Sequence, residues 1–246
     1  MVASRKVEFE VTSSWTELLA LINYLVNGLE SITAEYECTK VGLDITEDIS
    51  EVLRGTARIC YVGCNERPSE GFEISEAVKA GLLRSYVFSY CEPTFRLPDL
   101  YSEVAKLFSN AVSYLRPYAL RTRLEGIEYM LIVLSDGRAF ILEGGRRRVS
   151  IPYLKTVISS HTHPHGCIPS PHDVRSLIHV LLDGGFGIGI VSMECALGLL
   201  RLGPFTEEDY IALTKFRSAL SRRDSNAISE VINSRSIGKS VRVILW

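Results

Sequence analysis

The chain has 246 residues, long for one compact domain and short for two large ones, so length permits one domain or two modest ones. With 46% hydrophobic and 23% charged residues it has the composition of an ordinary globular protein able to bury a core. A formal net charge of −2 excludes the global basic field that nucleic-acid binders usually carry and argues against a nucleic-acid partner. The local run Arg146-Arg147-Arg148 reads as the solvated end of a hairpin, with contact to an acidic partner as its alternative. The N-terminus, Met1 to Glu10, carries charges where a signal peptide needs its apolar region, and no run of about eighteen apolar residues could cross a membrane. Cys38, Cys60, Cys64, Cys91, Cys167 and Cys195 are scattered rather than set as a disulfide framework. They are expected to be reduced, buried thiols in a cytoplasmic protein, and the Cys60–Cys64 spacing is poor for a zinc knuckle.

In chain order, Val7 to Val11 alternates in period two as a strand. A helix capped at Ser13-Ser14 follows, with Trp15, Leu18, Leu19, Ile22 and Leu25 at helical spacing and Gly28 as its stop. A strand over Ile32 to Val41 would complete a β-α-β opening. Thr46 to Ser50 starts a capped helix toward Leu53, Cys60 to Gly71 reads as loop, Ile74 to Leu83 as a short helix and Ser85 to Tyr90 as a strand. Residues 1–95 hold no histidine and are expected to form a small α/β domain or extension.

Pro93 and Pro98 punctuate a boundary. A long amphipathic helix opens at Pro98-Asp99, carries Leu100, Val104, Leu107, Phe108, Val112 and Leu115 on one side, and is expected to end near Pro117. Glu128 to Leu134 is a near-continuous apolar run, Asp136-Gly137 a hairpin turn, and Arg138 to Leu142 the returning strand. Val157 to Ser160 is a strand that delivers the chain to His161. Ser170 is a natural N-cap with Pro171 at the first helical position, and the helix runs through Val174, Leu177, Ile178 and Leu181 to Gly184-Gly185. Gly187 to Val191 and Ala196 to Leu200 read as strands, Thr206 opens a helix through Leu220, and Ser240 to Trp246 closes as a strand.

All the histidines lie between His161 and His179. His161 and His163 are two apart, so in extended chain both imidazoles project to one face. Two such imidazoles plus an oxygen ligand, with a position left open for water, form a familiar catalytic zinc set. Asp173, in the first turn of the next helix, can be brought back by the Gly- and Pro-containing loop. The bland alternative is a His-rich surface loop. Paired His followed by Ser-x-x-Asp after a buried strand favours a metal site instead.

His161-Thr-His163-Pro164 followed by Ser170-Pro-His-Asp173 resembles the signature of the JAMM metalloproteases, the catalytic branch of the MPN (Mov34/Pad1, JAB) family, and is similar to that of RadC-type JAB domains. The resemblance covers roughly residues 96 to 220. It implies an α/β (α+β) fold in which a three-layer MPN/JAB-like domain over 96–246, a mixed central sheet flanked by helices, follows the small N-terminal domain. It also implies Zn2+ held by His161, His163 and Asp173, with Ser170 as donor to the oxyanion. A glutamate general base is required upstream; Glu128 fits best, with Glu125 and then Glu143 as rivals. Zinc would lower the pKa of its water to about 7. Glu128 would accept the proton, and Ser170 would stabilise the developing oxyanion as well as capping the helix. The implied substrate is a protein or peptide carrying an amide or isopeptide bond, often at the C-terminus of a ubiquitin-like modifier on lysine. One departure is that the loop from the second His to the Ser is usually one residue longer. His165, His172 and Cys167 are left as neighbours of the site.

Four other readings compete. His161-x-His163-x-His165 resembles the histidine-triad nucleotide hydrolases, but Pro164 interrupts and Ser-x-x-Asp would go unexplained. A metallophosphoesterase needs more downstream ligands than His172 and His179 supply. A non-catalytic MPN scaffold usually lacks the metal residues, and a RadC-like role in nucleic-acid metabolism finds no support in the charge.

Overall fold

A computed structural model describes residues 6–46, 48–144 and 155–246; the Arg146–Arg148 run lies outside them. The described residues form a mixed α/β protein with two mixed sheets, divided into two compact units. None of their helices is long and apolar enough to cross a membrane.

One unit comprises Thr12–Val104 with the turn Ser135–Arg138. It holds α1 (Ser14–Glu35), β2 (Lys40–Leu43), a 3-10 turn (Ile49–Val52), β3 (Thr56–Val62), α2 (Phe72–Lys79), β4 (Ser85–Tyr90) and β5 (Phe95–Arg96). The sheet order is β4-β3-β2-β5, with β3 and β4 parallel. Several sequence expectations change here. α1 runs through Gly28 to Glu35, so only Lys40 and Val41 of the expected Ile32–Val41 strand are extended, at the start of β2. Gly28 is a packing glycine rather than a stop: a Cβ there would meet Ile74 Cγ1 at 2.5 Å, and Leu29 and Ile32 prolong the buried stripe. The helix expected after Thr46 is the 3-10 turn capped by Asp48, which accepts from Ser50 N. Cys60, expected in a loop, lies inside β3.

The cysteines are also corrected. They form three disulfides, Cys38–Cys64, Cys60–Cys91 and Cys167–Cys195. Sheet register explains the first two. The Lys40–Val62 pairing, carried two residues outward, sets Cys38 opposite Cys64. Cys60 pairs beside Ser89, two residues short of Cys91. Partners 26, 31 and 28 residues apart leave no local spacing to read. A cytoplasmic setting is compatible with such bonds chiefly in hyperthermophiles; otherwise they belong to oxidising compartments.

The other unit takes in β1 (Lys6–Glu10), Ala105–Leu134 and Ala139–Trp246. The division therefore differs from one at residue 95: it falls within α3 (Leu97–Glu125), and β1 joins the C-terminal unit because it pairs with β7 (Ala139–Glu143). The remaining elements are β6 (Tyr129–Leu134), β8 (Thr156–Thr162), α4 (Pro171–Leu182), β9 (Gly187–Val191), β10 (Ala196–Arg201), α5 (Glu207–Arg222), α6 (Ser225–Ser234), β11 (Ser236–Ile237) and β12 (Val241–Leu245). Among the described residues they form a sheet ordered β1-β7-β6-β8-β9-β10-β12-β11, with β8 and β9 parallel. α6 and β11 went unread in the sequence. α3 continues past Pro117, whose ring is exposed; buried Val112, Leu115 and Ala119 on its inner face offset the lost backbone bond.

The sheet of this unit is covered on both faces. On one side Phe108 of α3 approaches the strands so closely that a Cβ on Gly189 would meet its ring at 2.8 Å. On the other, Val174, Leu177 and Leu181 of α4 and Leu213 and Phe216 of α5 pack with Ile188, Ile190, Leu197 and Leu199. Each fully buried side chain of this kind contributes about 1.5–3 kcal/mol of transfer free energy.

Candidate metal centre

β8 is buried along its whole length, and period-two alternation divides its residues between the two faces. His161 pairs beside Ile190 of β9, so it emerges on the α4 side. Thr162 turns to the α3 side, where its Oγ1 lies 2.6 Å from Thr122 Oγ1 and accepts from Tyr129 N at 2.9 Å. His163 returns to the α4 side, and its N–H extends the β8–β9 ladder to Val191 O at 2.9 Å. The buried threonine thus holds both histidines on one face.

Asp173 reaches the same point from α4. Ser170 is the N-cap: its Oγ accepts from Asp173 N at 3.2 Å while Asp173 Oδ2 accepts from Ser170 N at 2.6 Å. This capping box fixes the carboxylate at the helix N-terminus, where the dipole favours negative charge. Its Oδ1 lies 3.3 Å from His161 Nε2 and its Oδ2 3.6 Å from His163 Nε2. The two Nε2 atoms are 2.9 Å apart. Burial raises the Asp173 pKa, yet hydrogen bonds from His161 and His163, the His161 charge and the Ser170 N–H together hold it well below the usual carboxylate range.

Among the described residues, this His161–His163–Asp173 group could bind a metal ion. Two imidazole nitrogens and a carboxylate are a donor set zinc accepts, and ligand atoms on a tetrahedral zinc lie about 3.4 Å apart at normal bond lengths. The separations of 3.3 and 3.6 Å fit that edge, and the Nε2 pair at 2.9 Å is somewhat closer. His161 and Asp173 are buried whereas His163 is half-buried, so the group has one side toward solvent. No family model, curated protein or solved structure matches the chain.

Glu128 lies just before β6, half-buried. β6 and β8 pair Met130 with His161; two residues outward the same register sets Glu128 opposite His163, on the face of both histidines. Glu143 pairs with Tyr129, whose side chain takes the opposite face. Glu125 ends α3 in an exposed ion pair with Arg121 at 3.9 Å. Register therefore puts Glu128 on the face of the histidines and Glu143 on the other, while Glu125 lies on α3. His165, His172 and His179 are exposed and stand outside the convergent group.

Sequence reasoning missed two supports of the site. Cys167, in the loop between His163 and Ser170, is tied to Cys195 beside the β9–β10 turn. Thr122 anchors Thr162 across 40 residues. Period-two alternation would have sent Thr162 away from the histidines, but nothing local marks its partner.

Proposed function

We propose that this chain is a zinc-dependent hydrolase of amide or isopeptide bonds, of the JAMM type in an MPN/JAB-like fold, with a protein or peptide substrate such as a ubiquitin-like modifier conjugate. The observation that carries the reading is the convergence of His161 Nε2, His163 Nε2 and the Asp173 carboxylate, all on one side of the sheet. These three residues would hold the ion. A bound zinc would supply Lewis acidity and bring the pKa of a coordinated water to about 7.

The chain's own groups account for the rest. Glu128, opposite His163 in register, takes the proton from the attacking water and returns it to the departing amine. Ser170 Oγ accepts from Asp173 N, which leaves its hydroxyl proton to donate to the carbonyl oxygen as negative charge develops there. Asp173 stays ionised, so its carboxylate supplies the negative charge of the ligand set.

A second reading has an observation of its own. His161 and His163 hydrogen-bond each other, both lie in ion-pair range of Asp173, and Asp173 also closes the α4 capping box. A metal-free polar cluster in an MPN-type scaffold would use the same contacts.

Metal analysis of the purified chain and of two variants separates the readings. Stoichiometric zinc in the parent, lost in His163→Ala and kept in Glu128→Gln, is expected, with cleavage of an isopeptide-linked peptide panel abolished in both variants. Full zinc in His163→Ala would overturn the ligand assignment. Unchanged turnover in Glu128→Gln would move the base elsewhere. A zinc-free parent with no cleavage is the scaffold outcome.

A further inference from the structure

A cavity of about 250 Å³ adjoins the loop that carries the metal residues. One wall is that loop itself: Cys167 and Ile168 lie between His163 and Ser170, and Cys167 is held to Cys195. Leu197 of β10 and Leu245 of β12, which pair directly, make the floor. Ile228 and Ile232, one turn apart on α6, form the far wall with Ser229 and Asn233 beside them. Ile168 is 61% exposed and Leu245 43%, so apolar surface stays open to solvent two residues from Ser170.

We infer that this cavity is the subsite for an aliphatic side chain of an extended peptide substrate, about three residues from the scissile bond; the inference rests on the hydrolase reading above. Three observations select the occupant. The wall and the candidate catalytic Ser170 share one short loop pinned by a disulfide, and Leu197 lies two strands across from His161, so whatever fills the cavity lies on the same face of the sheet, about 10 Å from the candidate metal residues. No lining residue ionises, so a charged side chain entering it would lose its hydration without a partner. The volume lies below the range of about 300–1,000 Å³ typical of drug-sized ligands, which suits one side chain and not a cofactor. Ser229 and Asn233 add hydrogen-bonding groups for a peptide backbone passing the mouth.

The test is titration of the full chain, carbon-13 labelled at isoleucine methyls, with the N-acetyl methylamides of leucine, alanine and glutamate. The leucine compound is expected to shift the methyls of Ile168, Ile228 and Ile232 and to bind at least ~10-fold more tightly than the alanine compound. The glutamate compound should leave them unmoved. Ile232→Trp, or Leu245→Trp if the first variant does not fold, fills the cavity and should abolish the leucine shifts with zinc content unchanged. Unmoved methyls up to the solubility limit of the leucine compound, or equal shifts from glutamate, overturn the subsite. Failure of the hydrolase reading looks different: leucine selectivity persists in a chain that binds no zinc and cleaves nothing, and the cavity's chemistry then stands without a reaction. Zinc binding and turnover with no preference for leucine over alanine at any position within about four residues of the scissile bond overturns the subsite alone.

Discussion

The hydroxyls of Thr122 in α3 and Thr162 in β8 lie 2.6 Å apart in the buried layer opposite the candidate metal centre. Thr162 Oγ1 also accepts from Tyr129 N, so one side chain ties the end of β8 to both the helix and the neighbouring strand. Replacing it with valine takes this acceptor from the buried Tyr129 N–H, while Thr122 Oγ1 keeps its bond to Tyr118 O at 3.0 Å. Thr162→Val is expected to cost about 1–3 kcal/mol of stability and to weaken zinc retention. Urea unfolding and competition with a chromophoric chelator measure the two. Lost stability with unchanged zinc affinity would separate the threonine clamp from the site.

Cys167–Cys195 closes a span of 28 residues and holds the loop between His163 and Ser170. Loop-closure entropy for a span of that length is about 3–4 kcal/mol. Cys167→Ser/Cys195→Ser should lower stability by that order and release zinc more readily to a chelator. The parent treated with dithiothreitol should follow the double variant. Equal zinc release before and after reduction would show that the loop holds its shape without the bond.

Ser170 has two assigned roles that different substitutions separate. As N-cap it is worth about 1 kcal/mol against alanine but only a few tenths against glycine. As oxyanion donor it is worth about 10²–10³ in kcat. Ser170→Gly should therefore melt close to the parent while losing two to three orders of magnitude in kcat with KM little changed. A glycine variant of near-parent activity would leave Ser170 as a cap alone.

Asp209 stitches the start of α5 to the turn before β12: its Oδ1 accepts from Lys239 N and Ser240 N, each at 2.7 Å, and its Oδ2 from Thr206. Burial pushes its carboxyl up, but the Ser240, Thr206 and Lys239 bonds outweigh that and hold it below the ordinary value. A depressed folded pKa means the unfolded chain binds more protons in that range. Asp209 thus stabilises the fold above a pH of about 4 and loses its contribution as pH falls through the folded value. Asp209→Asn should lower stability at neutral pH, and the gap to the parent should narrow in acid. A gap of constant size from pH 7 to strong acid would be the contrary result, read from urea unfolding across pH.

Much of the C-terminal half was legible because its information is local. The apolar run through Tyr129–Leu134, a turn at Asp136-Gly137 and the Ser170–Pro171 cap each depend on residues a few positions apart. The candidate metal group was legible for the same reason: His161 and His163 share a face by the pleat of one strand, and Asp173 follows from the capping box of the next helix. Gly28 and Pro117 misled because each has an intrinsic tendency to end a helix, and burial of the flanking stripes outweighs it.

By itself, then, the sequence determined the grouping of His161, His163 and Asp173 and the order of most elements around it, since hydrophobic period and capping act within one or two turns. Only tertiary structure decided the disulfide partners, the Thr122–Thr162 clamp, the face that Glu128 shares with His163, and the cavity that α6 closes beside the loop. Each of these depends on strand register and layer packing, which join residues 26 to 40 positions apart or more and leave no periodic trace in the chain.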